Sequence, residues 1–345
     1  IGSDDLVADF NENKKLKYVS VLANVMGPSL MIKLSNGHSF GFFTNVRSAI
    51  SSHDIPNVLN YSTFSDTPFN EFIDVDAFKI STMVWSEFGL NYAAKIETND
   101  GYFGFGANLK FINAYEAAYI NIKRGVLSAQ IQGDTILFQS PHLNYGVTNS
   151  NLEGEDPSLQ SNGFGVGVDL GFTYVYEGGE DHYKWKLGIS LLDLGQIELS
   201  RNAEEHDLNK DTLVVFPSRQ FESVSNQDRI HLLSKIGLAD STASLTSSNF
   251  RMGLPGAISI QADYKIMEYF YVNGVFVQRI PMGENSIRRN NLMVVTPRFE
   301  HRWLGFSMPV VLLNYQKLSL GTSVRLAFLT IGSDDLASFF WKKEA

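Results

Sequence analysis

Cysteine is absent from this chain of 345 residues. That excludes disulfides, thiolate metal sites and a cysteine nucleophile, and it suits export through an oxidising compartment. Also missing is any run near the ~18 apolar residues that a membrane-crossing helix needs. Hydrophobic residues, at 44 %, exclude nothing by themselves. Backbone groups in lipid must find partners within the protein, so the one membrane-spanning solution left is a closed β-barrel. Nor is there a basic block. Lys and Arg number 28 against 37 Asp and Glu, a net charge of −9, which argues against nucleic acid as a partner. No shift in composition divides the chain, so residues 1–345 read as a single domain.

What is present in quantity is Gly (28), Phe (25) and Tyr (14), and the hairpin from Phe164 to Leu191 shows how they are set out. Phe164, Val166, Val168, Leu170, Phe172, Tyr174 and Tyr176 alternate with Gly165, Gly167, Asp169, Gly171, Thr173 and Val175. After the turn Glu177-Gly178-Gly179-Glu180-Asp181, the return strand carries Tyr183, Trp185, Leu187, Ile189 and Leu191 on one face. Lys184, Lys186, Gly188 and Ser190 occupy the other. Alternation with period two gives one apolar face and one small or polar face. A strand of this kind spans ~43 Å at ~3.3 Å per residue. Tilted, it covers the ~25 Å apolar band of a membrane barrel. The competing reading is a soluble lectin-like or sandwich sheet with one wet face.

The same grammar recurs. Leu30, Ile32 and Leu34 lead to the hairpin dipeptide Asn36-Gly37. Phe103, Phe105, Leu109 and Phe111 follow the turn Asn99-Asp100-Gly101. Similar strands run through 258–266, 293–303 and 318–328, giving about a dozen or slightly more. Short turns alternate with long connections at about 48–78, 141–162 and 200–250, the asymmetry of a barrel with long loops on one side. The last connection holds the one convincing helix, about Gln227 to Leu238, read as a loop element packed on the rim, with a small plug or partner-docking helix as the alternative. The hexapeptide Ile1 to Leu6 recurs as Ile331 to Leu336, too short to establish a duplication. Ile1 opens without a signal peptide and the chain stops at Trp341-Lys342-Lys343-Glu344-Ala345. An exported barrel needs a leader and a closing strand, so both ends read as incomplete.

Nothing assembles into an active site, and the expectation is a non-enzyme without cofactor or metal. His182 and His206 sit beside acidic residues and read as solvated loop residues. Glu153, Glu155 and Asp156, near Asn149 and Asn151, could hold Ca²⁺ but lack EF-hand spacing. The glycines of Gly163-Phe164-Gly165-Val166-Gly167 fall on alternate residues of a strand rather than in a strand-to-helix turn, so they cradle no phosphate. A barrel phospholipase would need Ser, His and a polar helper on the outer wall, and no such trio can be placed. If the apolar positions meet lipid, Glu87, Lys110, Asp169, Lys184, Lys186, Asp263, Lys265, Arg298, Glu300, Arg302 and Arg325 line the lumen. Their mixed signs favour internal salt bridges over an ion filter. Arg298, Glu300, Arg302 and Arg325 are the candidates for a constriction.

Several segments carry a family resemblance. Asn162 to Gly171, Leu187 to Gly195 and Phe250 to Pro255 resemble paired strands of fatty-acid-transporter-like (FadL-like) outer-membrane barrels. Pro297 to Trp303 and Leu329 to Asp334 are similar to an uncharacterised family of Bacteroidota outer-membrane barrels. The resemblance implies an all-β transmembrane antiparallel barrel of about 14 strands in the outer membrane of a Gram-negative bacterium. It assigns no catalytic residue. It leaves two functions: passive transport of small or hydrophobic molecules, or a non-catalytic subunit of a secretion or assembly complex. Expected partners are outer-membrane lipid and other outer-membrane or periplasmic proteins.

Overall fold

The computed structural model describes residues 18–34, 36–53, 55, 73–74, 77–130, 135–148, 160–178, 183–217, 220 and 226–333. Outside them fall both termini, most of the repeated hexapeptide, His182, Asn149, Asn151 and the acidic run from Glu153 to Asp156. The chain forms β1 (Val19–Lys33), β2 (His38–His53), β3 (Ile73–Asp74), β4 (Lys79–Thr98), β5 (Gly101–Gln130), β6 (Thr135–Thr148), β7 (Gly163–Tyr176) and β8 (Trp185–Leu199). Shorter pieces follow: β9 (Ala203–Asn209), β10 (Leu213–Pro217), α1 (Asn226–Leu238), β11 (Leu245–Ser247) and β12 (Phe250–Gly253). The rest are β13 (Ala257–Met267), β14 (Phe270–Arg279), β15 (Leu292–Glu300), β16 (Leu304–Ser307), β17 (Val310–Leu313), β18 (Lys317–Leu320), β19 (Thr322–Leu326) and β20 (Leu329–Ser333). The expected all-β architecture with one loop helix is what the chain adopts. Among the described residues the strands number 20, because late rows are broken, with β16 and β17 both pairing with β15, and because short strands such as β9, β10 and β11 form in the long connections.

Every ladder is antiparallel. The wall runs β1, β2, β4, β5, β7, β8, β13, β14, β15 and on through the short strands to β20. Among the described residues no ladder joins β1 to β20. The sheet is nonetheless strongly rolled. Arg47 on β2 and Asp193 on β8 lie four ladders apart, about 19 Å along a flat sheet at ~4.8 Å per step, yet their side chains meet at 2.8 Å. Further round, the Arg279 guanidinium at the end of β14 sits over the Tyr18 ring just before β1, 4.9 Å from its centroid.

Burial is inverted relative to a water-soluble domain. Outward side chains are large and apolar, with Phe164 59 % and Val166 50 % exposed, whereas the inward Glu87 and Lys110 are 3 % and 5 % exposed. Charged residues are almost never this buried unless paired, and an apolar outer surface of this extent marks a membrane or partner-covered face. Aromatic pairs tie neighbouring rows on that outer face, among them Phe105 with Phe172 and Tyr174 with Trp185.

The connections are sided. Tight turns join β1 to β2, β4 to β5, β13 to β14 and β19 to β20 at one end. The β2–β4, β6–β7, β8–β13 and β14–β15 connections lie at the other. At that loop end β5 outruns the wall: its Gly101–Ala114 half pairs with β7, while its later half pairs with β6. β6 then carries β9 and β10, so much of the expected loops is strand. This annex has a core of its own, built from Ile122, Phe138, Leu143, Tyr145, Leu208, Val214 and Phe216. Helix α1 closes it with Ile230, as the rim reading of that helix expected. Gly237 is what lets the helix lie so close, since a Cβ there would stand 2.6 Å from Leu208 Cδ1.

Candidate functional site in the barrel interior

The inward faces of the strands stack in layers along the wall. Reading β4 from the loop end, Met83 and Trp85 belong to an apolar core, Glu87 to a charged layer, Asn91 to a cavity, and Ala93 to a vestibule of small residues. β5 repeats the order in reverse, from Gly104 and Gly106 through Asn108 and Lys110 to Ile112 and Ala114. Alternation along each strand selects which residues face inward; the layer depends on height in the wall.

Asp193 is the centre of the charged layer. Its carboxylate accepts from both Arg47 nitrogens at 2.8 and 3.0 Å, from Lys110 Nζ at 2.6 Å and from Arg289 at 2.6 Å. Lys110 also donates to Asp169 at 2.7 Å, and Arg47 to Glu87 at 2.8 Å. Trp85 Nε1 donates to the same Glu87 oxygen at 2.8 Å. Asp169 further accepts from Asn108 and from the backbone N–H of Asp193. The cations Arg47, Lys110 and Arg289 thus balance the anions Glu87, Asp169 and Asp193. Taking charges out of water costs several kcal/mol per ion, offset only by close, hydrogen-bonded partners. A neutral cluster so bonded braces opposite walls and has no net sign with which to select ions.

Parity had brought Glu87, Lys110 and Asp169 to this face; it did not find Asp193. In β8 the outward residues are Leu187 and Ile189, so uninterrupted alternation would turn Asp193 outward as well. A bulge intervenes: opposite β7 the register slips between Val168 and Leu170, and Asp193 has φ 52°. The extra residue reverses the faces beyond it, so Asp193, Ile197 and Leu199 are buried.

The plug is not α1 but the β14–β15 connection, residues 280–291, which crosses the interior at the loop end. Ile287, 1 % exposed, donates its N–H to Gly253 O at 3.0 Å. Arg288 N donates to Ser51 Oγ, and Arg288 O accepts from Ser20 Oγ. Asn285 accepts from Asn121 on β5 at 2.6 Å. The segment is therefore pinned to rows on several sides of the roll.

The remaining candidates occupy the turn end. Arg298 bonds Asp263 at 2.9 Å and Tyr183 Oη at 2.7 Å, and Glu300 lies 3.0 Å from Arg298. Lys186 Nζ sits 3.3 Å from the Tyr183 ring centroid. Lys265 is half-buried; its N–H bonds the carbonyl of Lys184, whose side chain is exposed. Arg325 donates to His301 O at 3.2 Å. Arg302 is exposed in a turn over the Trp303 ring. Arg298, Glu300, Arg302 and Arg325 thus do not converge on one ring of charge. Two cavities lie between these groups and the plug: one of about 490 Å³ beside the charged layer and one of about 980 Å³ lined by Gly104, Gly106, Gly171, Gly188 and Ser190.

His206 corrects one expectation. It is 0 % exposed, stacked on Tyr145 at 4.9 Å in the annex rather than solvated in a loop. Its Nδ1 meets Ser244 Oγ at 2.9 Å and its Nε2 meets Glu204 Oε2 at 3.3 Å. His231 on α1 bonds the same Glu204 oxygen at 2.9 Å. Burial pushes the His206 imidazole below its ordinary range, against the pull of Glu204. Burial would raise Glu204, but its hydrogen bonds from His231 and His206 win and hold it below the usual carboxylate range. Burial also pushes Tyr145 up to about 12. The Ser244 hydroxyl is buried and shared with Tyr145, so this Ser-His-Glu grouping fastens the helix to the sheet and presents no open nucleophile. Polar sequence on β9, Glu204-Glu205-His206-Asp207, hid this: its half-buried charges mask the buried His206 and Leu208.

A family model covers residues 3–334, and the chain belongs to that family, described as a family of unknown function (DUF5723). No curated protein matches the chain. Among solved structures, it is similar to the crystal structure of the ferric yersiniabactin uptake receptor FyuA from Yersinia pestis, with 8 % identity and a TM-score of 0.25. That match covers 91 % of this chain and 51 % of the receptor, so the chain spans about half the receptor's length.

Proposed function

For this member of a family of unknown function, we propose a β-barrel of the Gram-negative outer membrane that passes small or hydrophobic molecules and rests in a closed state. The inverted burial carries the membrane part of the reading: apolar side chains outside, paired charges within. The segments that resemble fatty-acid-transporter-like and Bacteroidota barrels support it. Transport is supported by interior space that the side chains leave unfilled, about 490 and 980 Å³, below the plug. Passage then requires residues 280–291 to move. The test is reconstitution of the full chain in liposomes. Uptake of a small hydrophobic dye above that of empty vesicles is expected, and faster uptake after deletion of Glu284 to Ile287. Impermeable vesicles in both cases would end the transport reading.

A second reading has its own support. The interior is braced by a neutral network, and the annex with α1 projects past the wall, as suits a structural subunit of a secretion or assembly complex. Purification in mild detergent separates the two. A stoichiometric protein partner with a sealed lumen favours the subunit, while bound lipid without a partner favours transport.

A further inference from the structure

The cavity of about 490 Å³ has two unlike walls. One is apolar: Leu22, Met26 and Met31 of β1 with Phe43 of β2. Among the described residues no protein covers the β1 side chains, and Met26 and Met31 are each 64 % exposed. The other wall is the charged layer, edged by Asn45 and Asn91. The orientation of both amides follows from the carboxylates behind them. Asp169 requires a donor, so Asn108 turns its NH₂ to it, and the Asn108 carbonyl then accepts from Asn91. Glu87 likewise takes the NH₂ of Asn45 at 3.4 Å. Amide orientation is set by such networks, and here both relays end in a buried carbonyl oxygen without a hydrogen-bond partner among the described residues. Every cation of the layer already holds a carboxylate. The polar wall therefore offers acceptors and no net charge.

We propose that this cavity binds an amphiphile with a neutral, hydroxyl- or amide-bearing head, its alkyl chain lying along Leu22, Met26 and Met31. The proposal rests on the transport reading and narrows its cargo. A carboxylate head would face carbonyl oxygens with no cation free to meet it, and burying an unpaired charge is strongly unfavourable. An ammonium head finds acceptors but brings an uncompensated charge into a neutral interior. A glycerol head donates O–H to both carbonyls and brings no charge.

The test uses the full chain in phosphatidylcholine nanodiscs, following displacement of N-phenyl-1-naphthylamine by 1-monolauroylglycerol, dodecanoate and dodecylammonium. The glyceride is expected to displace the dye at a concentration roughly tenfold lower than either ion, about the effect of one or two hydrogen bonds. Asn91→Leu removes one acceptor and weakens the glyceride about fivefold. Met31→Trp fills the cavity and abolishes displacement, while heat-modifiable gel mobility shows that the variant remains folded. Dodecanoate or dodecylammonium equal to the glyceride, or displacement untouched by Met31→Trp, would overturn the assignment. Binding is read here without flux, so impermeable liposomes would sink transport and leave this site to stand or fall by displacement.

Discussion

Asp193 faces three cations at once, and its removal takes the carboxylate of Arg289 and one of the two held by Arg47 and by Lys110. Asp193→Ala leaves Arg47, Lys110 and Arg289 buried with fewer partners, a loss of about 3–5 kcal/mol by the usual cost of breaking a buried pair. Urea unfolding of the detergent-folded protein should show it, and an unchanged midpoint would refute the network's bracing role. Coupling follows too: Lys110→Met with Asp169→Leu should cost less than the sum of the single changes, because the pair vanishes together. His206 gives a pH prediction. Its folded form favours neutral imidazole, so between its folded and unfolded values the folded state binds fewer protons than the unfolded chain. Stability is then lost as pH falls through about 6.5. Glu204, held low, adds stability above about 4.3 that is lost as pH falls through its folded value. Both act in the same direction. Limited proteolysis around α1 should accelerate on acidification, and His206→Phe should flatten the upper part of that profile. At this scale the sequence exposed Glu87, Lys110 and Asp169, because they obey strict alternation. It concealed Asp193 behind a bulge and Arg289 in a connection with no period to read.

At the scale of elements, alternation was the strong signal. The hairpin from Phe164 to Leu191 and the strands around Asn36-Gly37 and Asn99-Asp100-Gly101 are where that pattern placed them. The annex was harder to see. β9 packs beside a helix instead of facing lipid, and its Glu204, Glu205 and Asp207 make the segment resemble a loop. Gly237 tests how tightly α1 sits on that annex. Gly237→Val places a branched side chain against Leu208, and overpacking of this kind costs about 1–3 kcal/mol. Faster hydrogen exchange across 226–238, with the wall strands unaffected, is the expected readout. The bulge in β8 can be tested as well: deleting Leu192 removes the extra residue opposite Asp169, restores uninterrupted alternation and leaves Asp193 inward, so the protein should still acquire heat-modifiable mobility.

For the whole molecule, the inverted burial makes the two faces of the wall respond oppositely. Val166→Arg on the outer face should cost about 2–4 kcal/mol if it lies near the middle of the bilayer. Gly106→Ala on the inner face should be nearly silent, since a Cβ there meets nothing within 4 Å. Refolding into lipid vesicles compares the two directly; equal effects would contradict a lipid-facing wall. The partners in the charged layer and around the plug also lie far apart along the chain: Arg47 and Asp193 are separated by 146 residues, and Ser20 and Arg288 by 268. Contacts that close such long loops form late. During assembly the early strands therefore carry Arg47, Glu87 and Lys110 without Asp193, and those groups must stay hydrated until β8 arrives. The charged layer is thus wet until β8 and the β14–β15 segment are both in place, and the seating of that segment, which brings Arg289 to Asp193, is the step that drains it.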